Sequence, residues 1–331
     1  MAQVRRWCSR GCAISAIDRD QAARGGGWLL RGVALVLLAA GLVAGCAPGP
    51  VPSAASLGPD QSSSPAPSIN GGSSSASSSI AASTPAPTPV AVHAGCPTTA
   101  VKDAASSHQR SLHAATTNWS GYVARSTKAF SCIQGSWIQP AVACPANGSA
   151  SLAIWIGFDG ETGPSRATLE QIGTNTDCHN GRALTFAWFE ILPHDKFEQP
   201  LDLSVAPGDR IAASIALVGH SFKLVIEDLT TGLERDTLQK SANARRLTAE
   251  WVVEAPTVGC PGNCQVSLLA SFGTVSFKTA RAIVGGVTGP IEDGRWTRVR
   301  LDLETRSGVI KAKPGSVGKD GASFAVVWHH R

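Results

Sequence analysis

From about Asn118 to Arg331 the sequence predicts an all-β domain, either two stacked antiparallel sheets or a barrel. Three observations carry this. Short extended patterns recur along the whole stretch, clusters of Gly, Pro, Asn and Asp separate them, and no segment sustains helical periodicity. In chain order the patterns are "SLAIWIGF" (151–158), "ALTFAWFEILP" (183–193), "RIAASIALVG" (210–219), "FKLVIEDL" (222–229), "AEWVVEAP" (249–256), "FGTVSF" (272–277) and "ASFAVVW" (322–328).

Side chains alternate along a strand, so each pattern also assigns faces. In the first, Leu152, Ile154, Ile156 and Phe158 share the core face, which leaves Trp155 opposite them with Ala153 and Gly157. In the second, Phe186, Trp188 and Glu190 share a face and Ala187, Phe189 and Ile191 take the other. Two strands therefore turn a tryptophan away from the expected core, beside small residues and an acid. This predicts a groove for an extended ligand. In "RLTAEWVVEAP" (246–256), Thr248, Trp251, Val252 and Val253 favour an extended chain that Pro256 ends. Glu250, Val252 and Glu254 lie on one face of that strand, with Trp251 and Val253 directed into the core.

Upstream of the domain the composition changes twice. Residues 1–45 combine Arg5, Arg6, Arg10, Arg19, Arg24 and Arg31 with the apolar run "GVALVLLAAGLVAGC", too short to span a bilayer comfortably. This is the pattern of a signal peptide. Its end, "LVAGC", resembles the bacterial lipobox, which predicts lipidation of Cys46 and an extracytoplasmic protein, anchored to the bacterial cell membrane or secreted. Residues 46–95 are rich in Ser, Pro and Ala with scarcely a large apolar side chain, and are expected to form a disordered tether after Cys46. Residues 96–117 are a candidate propeptide or lead-in.

Cys96, Cys132, Cys144, Cys178, Cys260 and Cys264 in such a compartment predict disulfides, with the pairing left open. "CPGNC" (260–264) has no second half with metal-ligand spacing, so a loop disulfide is expected there and no metal site. The net charge of +5 comes partly from the basic amino-terminal region. No dense basic stripe marks the domain, and nucleic acid is not an expected partner. Neither G-x-S-x-G, H-E-x-x-H nor a phosphate loop is present. His194 and His220 fall in expected loops, and His329 and His330 on opposite faces of a strand. Acid chemistry remains.

The blocks "TNWSGYVA" (117–124), "GSWIQPAV" (135–142), "AIWIGFDG" (153–160), "TLEQIG" (168–173), "FAWFEILP" (186–193), "TAEWVVEAP" (248–256) and "SFGTVSF" (271–277) resemble, in order, the signature blocks of the glutamic peptidases, the eqolisin or peptidase G1 family. The resemblance implies a lectin-like sandwich of two bent antiparallel sheets with substrate lying across the concave one. It implies a catalytic pair, Gln171 and Glu250, with Trp155, Asp159, Glu190, Trp188 and Trp119 at the substrate cleft and Glu254 in support. It implies an acid endopeptidase acting on proteins or peptides as a monomer, with no cofactor. Departures are Asn175 where fungal members carry an acid, with Asp177 two residues on, and Phe189 where tyrosine is common.

The chemistry is coherent in itself. A carboxylate takes a proton from water and returns it to the leaving amine, while a glutamine amide donates to the developing oxyanion without competing as a base. An ordinary Glu titrates near ~4.3, which predicts an acidic optimum. Two other readings fit the same pattern: a non-catalytic carbohydrate-binding lectin-like surface module, and a glycosidase pairing Glu190 with Glu250.

Overall fold

A computed structural model of the chain describes residues 95–97, 111–161, 168–195, 197–259 and 263–331. The segments expected to be signal peptide and tether, with Cys46, and also Cys260 lie outside them. The described strands are β1 (Ser111–Thr116), β2 (Trp119–Arg125), β3 (Phe130–Ile138), β4 (Ser149–Asp159), β5 (Leu169–His179), β6 (Arg182–Leu192), β7 (Gln199–Ser204), β8 (Arg210–Val218) and β9 (Ser221–Asp228). They continue as β10 (Leu233–Gln239), β11 (Thr248–Glu254), β12 (Thr257–Val258), β13 (Gln265–Val266), β14 (Thr274–Val284), β15 (Val287–Pro290), β16 (Thr297–Glu304), β17 (Ile310–Pro314) and β18 (Phe324–Trp328). No helix occurs among the described residues.

Fourteen strands form one hydrogen-bonded path, β10-β9-β8-β3-β14-β18-β17-β16-β2-β11-β4-β5-β6-β7, with β15 added on β14 and β1 running parallel to β16. A sheet this wide and twisted cannot stay flat and curls onto itself. Its two ends approach, with Arg235 of β10 3.7 Å from Asp202 of β7. The path folds into two layers: the Trp251 indole of β11 donates to the Gln134 carbonyl of β3 at 2.8 Å, and its ring lies 3.0 Å from where a Cβ on Gly135 would sit. The all-β sandwich expected from the sequence is therefore what forms.

The alternation assigned from the sequence divides the apolar residues into two clusters. Ile154, Ile156, Phe158, Ile172, Trp251 and Val253 join the large core between the layers, with Ile133, Ile215 and Phe277 from the facing layer. Trp119, Val123, Trp155, Trp188, Val252 and Leu301 form a second cluster on the opposite face of the same strands. Two disulfides tie loops and lead-in to this frame, Cys96–Cys132 and Cys144–Cys178, and Cys264 is disulfide-bonded too. Each closes a loop of about 35 residues, which in the chain-entropy account stabilises by roughly 3–4 kcal/mol. A soluble form that begins at Pro97 would lose Cys96 and leave Cys132 without its partner.

Candidate active site

The strand registers line up the chemistry in rows. Glu250 of β11 lies opposite Gly157 of β4, Gly157 opposite Gln171 of β5, and Gln171 opposite Glu190 of β6. One row further along come Val252, Trp155, Gly173 and Trp188, and in the next Glu254, Ala153, Asn175 and Phe186. Opposed residues share a face. Three consecutive strands, β4 to β6, and the distant β11 thus place an acid, an amide and a second acid in one row beside a row with two tryptophans.

Two glycines make the rows possible. A Cβ on Gly173 would stand 2.1 Å from the Ile154 carbonyl and 2.6 Å from Trp155 Cβ, so only hydrogen fits between the two indoles. A Cβ on Gly157 would stand 2.9 Å from Trp155 Cζ3 and 2.9 Å from the Glu170 carbonyl. The Trp155 ring thus leans along its strand and floors the gap between Glu250 and Gln171. Gly157→Ala should cost about 1–3 kcal/mol by overpacking. It should also lower kcat/KM at least ~10-fold by pushing the indole into that gap. A melting curve and a peptide-hydrolysis assay check both, and unchanged activity would show that the floor does not matter.

Within the row, Gln171 Nε2 donates to Glu190 Oε2 at 2.7 Å. Gln171 Oε1, Glu190 Oε1 and both carboxylate oxygens of Glu250 are buried without a hydrogen-bond partner. Glu250 is 0 % exposed, Glu190 1 % and Gln171 4 %. Burial pushes the Glu250 carboxyl well above the usual range; Thr248 opposes this, and the nearby Asp159, Glu161 and Glu170 add to it. Burial likewise raises Glu190 well above the ordinary value, helped by Glu198 and Glu254 and opposed by the Gln171 amide.

The other expected site residues fall into distinct places. Glu254 accepts from the Trp155 indole at 2.8 Å and from Asn118 Nδ2 at 3.1 Å, and burial lifts it to about 7. It ties Trp155 and the start of the domain to β11. Trp119 meets Trp155 edge to face at 4.8 Å between ring centroids. Trp188 is 2 % exposed, with its indole nitrogen unpartnered. The indoles are thus on the face assigned from the sequence but buried, where an open groove was expected. Asp159 ends β4 beside the row, and its carboxylate is taken up by the backbone ahead of β11. Asn175 donates to Asp177 at 3.0 Å and Ser151 donates to the same oxygen at 2.9 Å, so Asn175 and Asp177 act together.

Sequence reasoning missed three features. Glu170, which alternation turns away from Gln171, is a wholly buried acid raised to about 8, held through Oε1 by Ser241 at 2.6 Å. Glu198, just before β7, is raised to about 8 by burial and by Asp177 and Glu254. Glu161 pairs with Arg125, whose Nε donates to it at 2.7 Å. Only Glu161, close behind the "WIGFDG" block, carries any signal in the sequence. His194 and His220 are exposed as expected; His329 and His330 are exposed too, but lie beyond the end of β18. Among the described residues no group of His, Cys, Asp or Glu is arranged to hold a metal ion.

Comparison with known proteins supports this architecture. A structure of scytalido-glutamic peptidase with a transition state analog inhibitor superposes with a TM-score of 0.55 at 19 % identity, covering 64 % of this chain and 98 % of that one. SCP-B, a member of the eqolisin family of peptidases in complex with the tripeptide Ala-Ile-His, gives 0.53 at 18 % identity, covering 64 % and 98 %. At these identities the likeness is one of fold. No curated protein matches the chain in sequence. The family model described as the peptidase A4 family matches residues 117–312, which contain every strand of the acid and amide rows. The chain belongs to the peptidase A4 family, the glutamic peptidases or eqolisins.

Proposed function

We propose that this glutamic peptidase cleaves internal peptide bonds of proteins through Gln171 and Glu250, which bind and activate one water molecule between them. The observation that carries the reading is the row itself: Glu250 and Gln171 flank Gly157 and hold buried acceptors without partners. An unsatisfied buried polar atom costs roughly 1–3 kcal/mol, and such a cost is tolerated where the group serves the chemistry.

In the proposed reaction the water donates one hydrogen to Gln171 Oε1 and the other to Glu250. Glu250 takes that proton as the water oxygen bonds to the scissile carbon and the carbonyl π-electrons move onto oxygen. The Gln171 N–H not engaged by Glu190 donates to the oxyanion. Glu250 then passes its proton to the amide nitrogen as the C–N bond breaks, leaving a carboxylic acid and an amine. Glu190 fixes the rotation of the Gln171 amide by accepting its other N–H. Trp119, Trp155 and Trp188 offer the apolar surface that a peptide meets once this face opens to it. The amide lying between Glu190 and Glu250, three strands apart or roughly 14 Å between α-carbons, favours this scheme over a paired-acid glycosidase.

The protein is proposed to act outside the cytoplasm, carried by a signal peptide and a lipid on Cys46, with the lead-in at residues 96–117 as a candidate propeptide. The test is hydrolysis of denatured protein between pH 2 and 7 by a chain that retains Cys96, beside Gln171→Ala, which should lose about 10²–10³ in kcat. Equal rates in the two would remove Gln171 from the mechanism. The raised proton affinity of Glu250 shifts the optimum expected from an ordinary glutamate. The base form is depleted at pH 4.5, so the acid limb of kcat/KM should fall above that pH. An acid limb below pH 4 would contradict this assignment.

A further inference from the structure

We infer that Asp159 is a positioning residue for Glu250, fixing the entry of β11 so that the glutamate lands on the Gln171 row; this rests on the Gln171–Glu250 reading above. Asp159 is 4 % exposed and touches neither residue of the pair by hydrogen bond. Its carboxylate instead collects three successive backbone donors from the segment leading into β11. Oδ2 accepts from the amides of Arg245 at 2.8 Å and Arg246 at 2.7 Å, and Oδ1 accepts from Leu247 at 3.0 Å. Thr168 Oγ1 adds a longer contact of 3.3 Å to Oδ2.

Both backbones bend to make this grip. Asp159 has φ 63° and Arg246 φ 51°, a left-handed conformation that ordinary residues rarely adopt. At Arg246 it curls consecutive N–H groups onto one acid, the nest arrangement known for anions. Such strain at two non-glycine positions persists only where the surroundings hold it, and here each bend serves the other.

The location gives the grip its consequence. The ladder between β11 and β4 ends at the pair Ala249–Phe158, one residue before Glu250–Gly157 in the register. Asp159 binds the chain just beyond that last pair, so it pins the register at the end nearest Glu250. A slip of one residue would turn Glu250 into the apolar core and bring Ala249 or Trp251 to the row. A smaller drift would part the carboxylate from Gln171, where misplacement by an ångström costs up to about 100-fold.

The test uses Asp159→Gly and Asp159→Asn in the full chain. Glycine accepts φ 63° without strain, so the first variant removes the carboxylate while sparing the backbone. Assayed well below each variant's own melting temperature, both should lose roughly 10- to 100-fold in kcat with KM within about twofold, because no substrate contact is removed. Formate, a carboxylate small enough to refill the nest, should restore kcat of Asp159→Gly at a pH where it is ionised; chloride at equal ionic strength should not. A purely stabilising role would lower the melting temperature and leave kcat per folded molecule unchanged, which overturns the inference. Should neither variant fold, hydrogen exchange of the wild-type chain decides: the amides of Arg245, Arg246 and Leu247 should be as protected as the β11 ladder, and rapid exchange overturns it. Glu250→Gln, run alongside, separates the two claims. If that variant remains active the catalytic reading fails, whereas if it is inactive while Asp159→Gly keeps full kcat only the positioning role fails.

Discussion

Glu250→Gln is expected to abolish peptide hydrolysis, lowering kcat by at least 10²- to 10⁴-fold, the usual worth of a positioned acid or base. The substitution is nearly isosteric, so Trp155 and Val252 keep their packing and the row keeps its register. On the proposed mechanism it removes the group that takes the proton from the water beside Gln171. The same change should leave the fold intact and, above about pH 5, make it more stable. A fully buried carboxyl resists ionisation, with only the nearby Thr248 hydroxyl among the main influences opposing, and an amide does not ionise at all. Inactivity together with undiminished stability is the signature of a catalytic acid, whereas a structural acid would lose both. Hydrolysis within twofold of wild type would remove Glu250 from the mechanism.

The second large effect is a loss of stability on the alkaline side. Glu170 is raised from 4.5 to about 8 and Glu254 to about 7, each chiefly by burial. A carboxyl whose proton is held more tightly when folded favours the folded state fully below its unfolded value near 4.5. That advantage shrinks as pH rises toward the folded value, because the unfolded chain ionises first. For Glu170, 0 % exposed, the difference amounts to on the order of 4 kcal/mol between pH 4.5 and 8. Denaturant midpoints should therefore fall steeply from pH 4 to pH 8. Glu170→Gln, which keeps an acceptor for Ser241, should flatten that slope, and a midpoint at pH 8 equal to that at pH 4 would show that Glu170 carries no such load. On the proposed mechanism the activity window then has physical limits on both sides: Glu250 must lose its proton to act as base, and Glu170 must keep its own for the frame beneath Gln171 to hold.

Much of this was legible in the residues. Alternation in "SLAIWIGF" and "LTFAWFEIL" placed Trp155, Trp188 and Glu190 on one face and the isoleucines on the other, because a strand's side chains alternate whatever it packs against. The same parity separated Glu250 from Trp251. Parity could not say how wet each face would be. Glu170 is wholly buried on the face opposite Gln171, and its encounter with Ser241, 71 residues away, helps to make a buried acid tolerable there. Asp159 reads as a cleft acid by its place in the block, yet its partners are the amides of Arg245, Arg246 and Leu247, which no spacing in the sequence brings near.

The sequence by itself determined the all-β class, the faces that Trp155, Trp188 and Glu190 take and, through the ordered blocks, the proposal of Gln171 and Glu250 as the pair, since these follow from local propensity, a two-residue period and the blocks themselves. Tertiary structure alone decided that Glu250, Gly157, Gln171 and Glu190 stand in one row, that their face is buried, and that three of them hold unpartnered acceptors. The physical reason is that register between strands far apart in the chain, and the desolvation that lifts a carboxyl, exist only once the sheet has closed on itself.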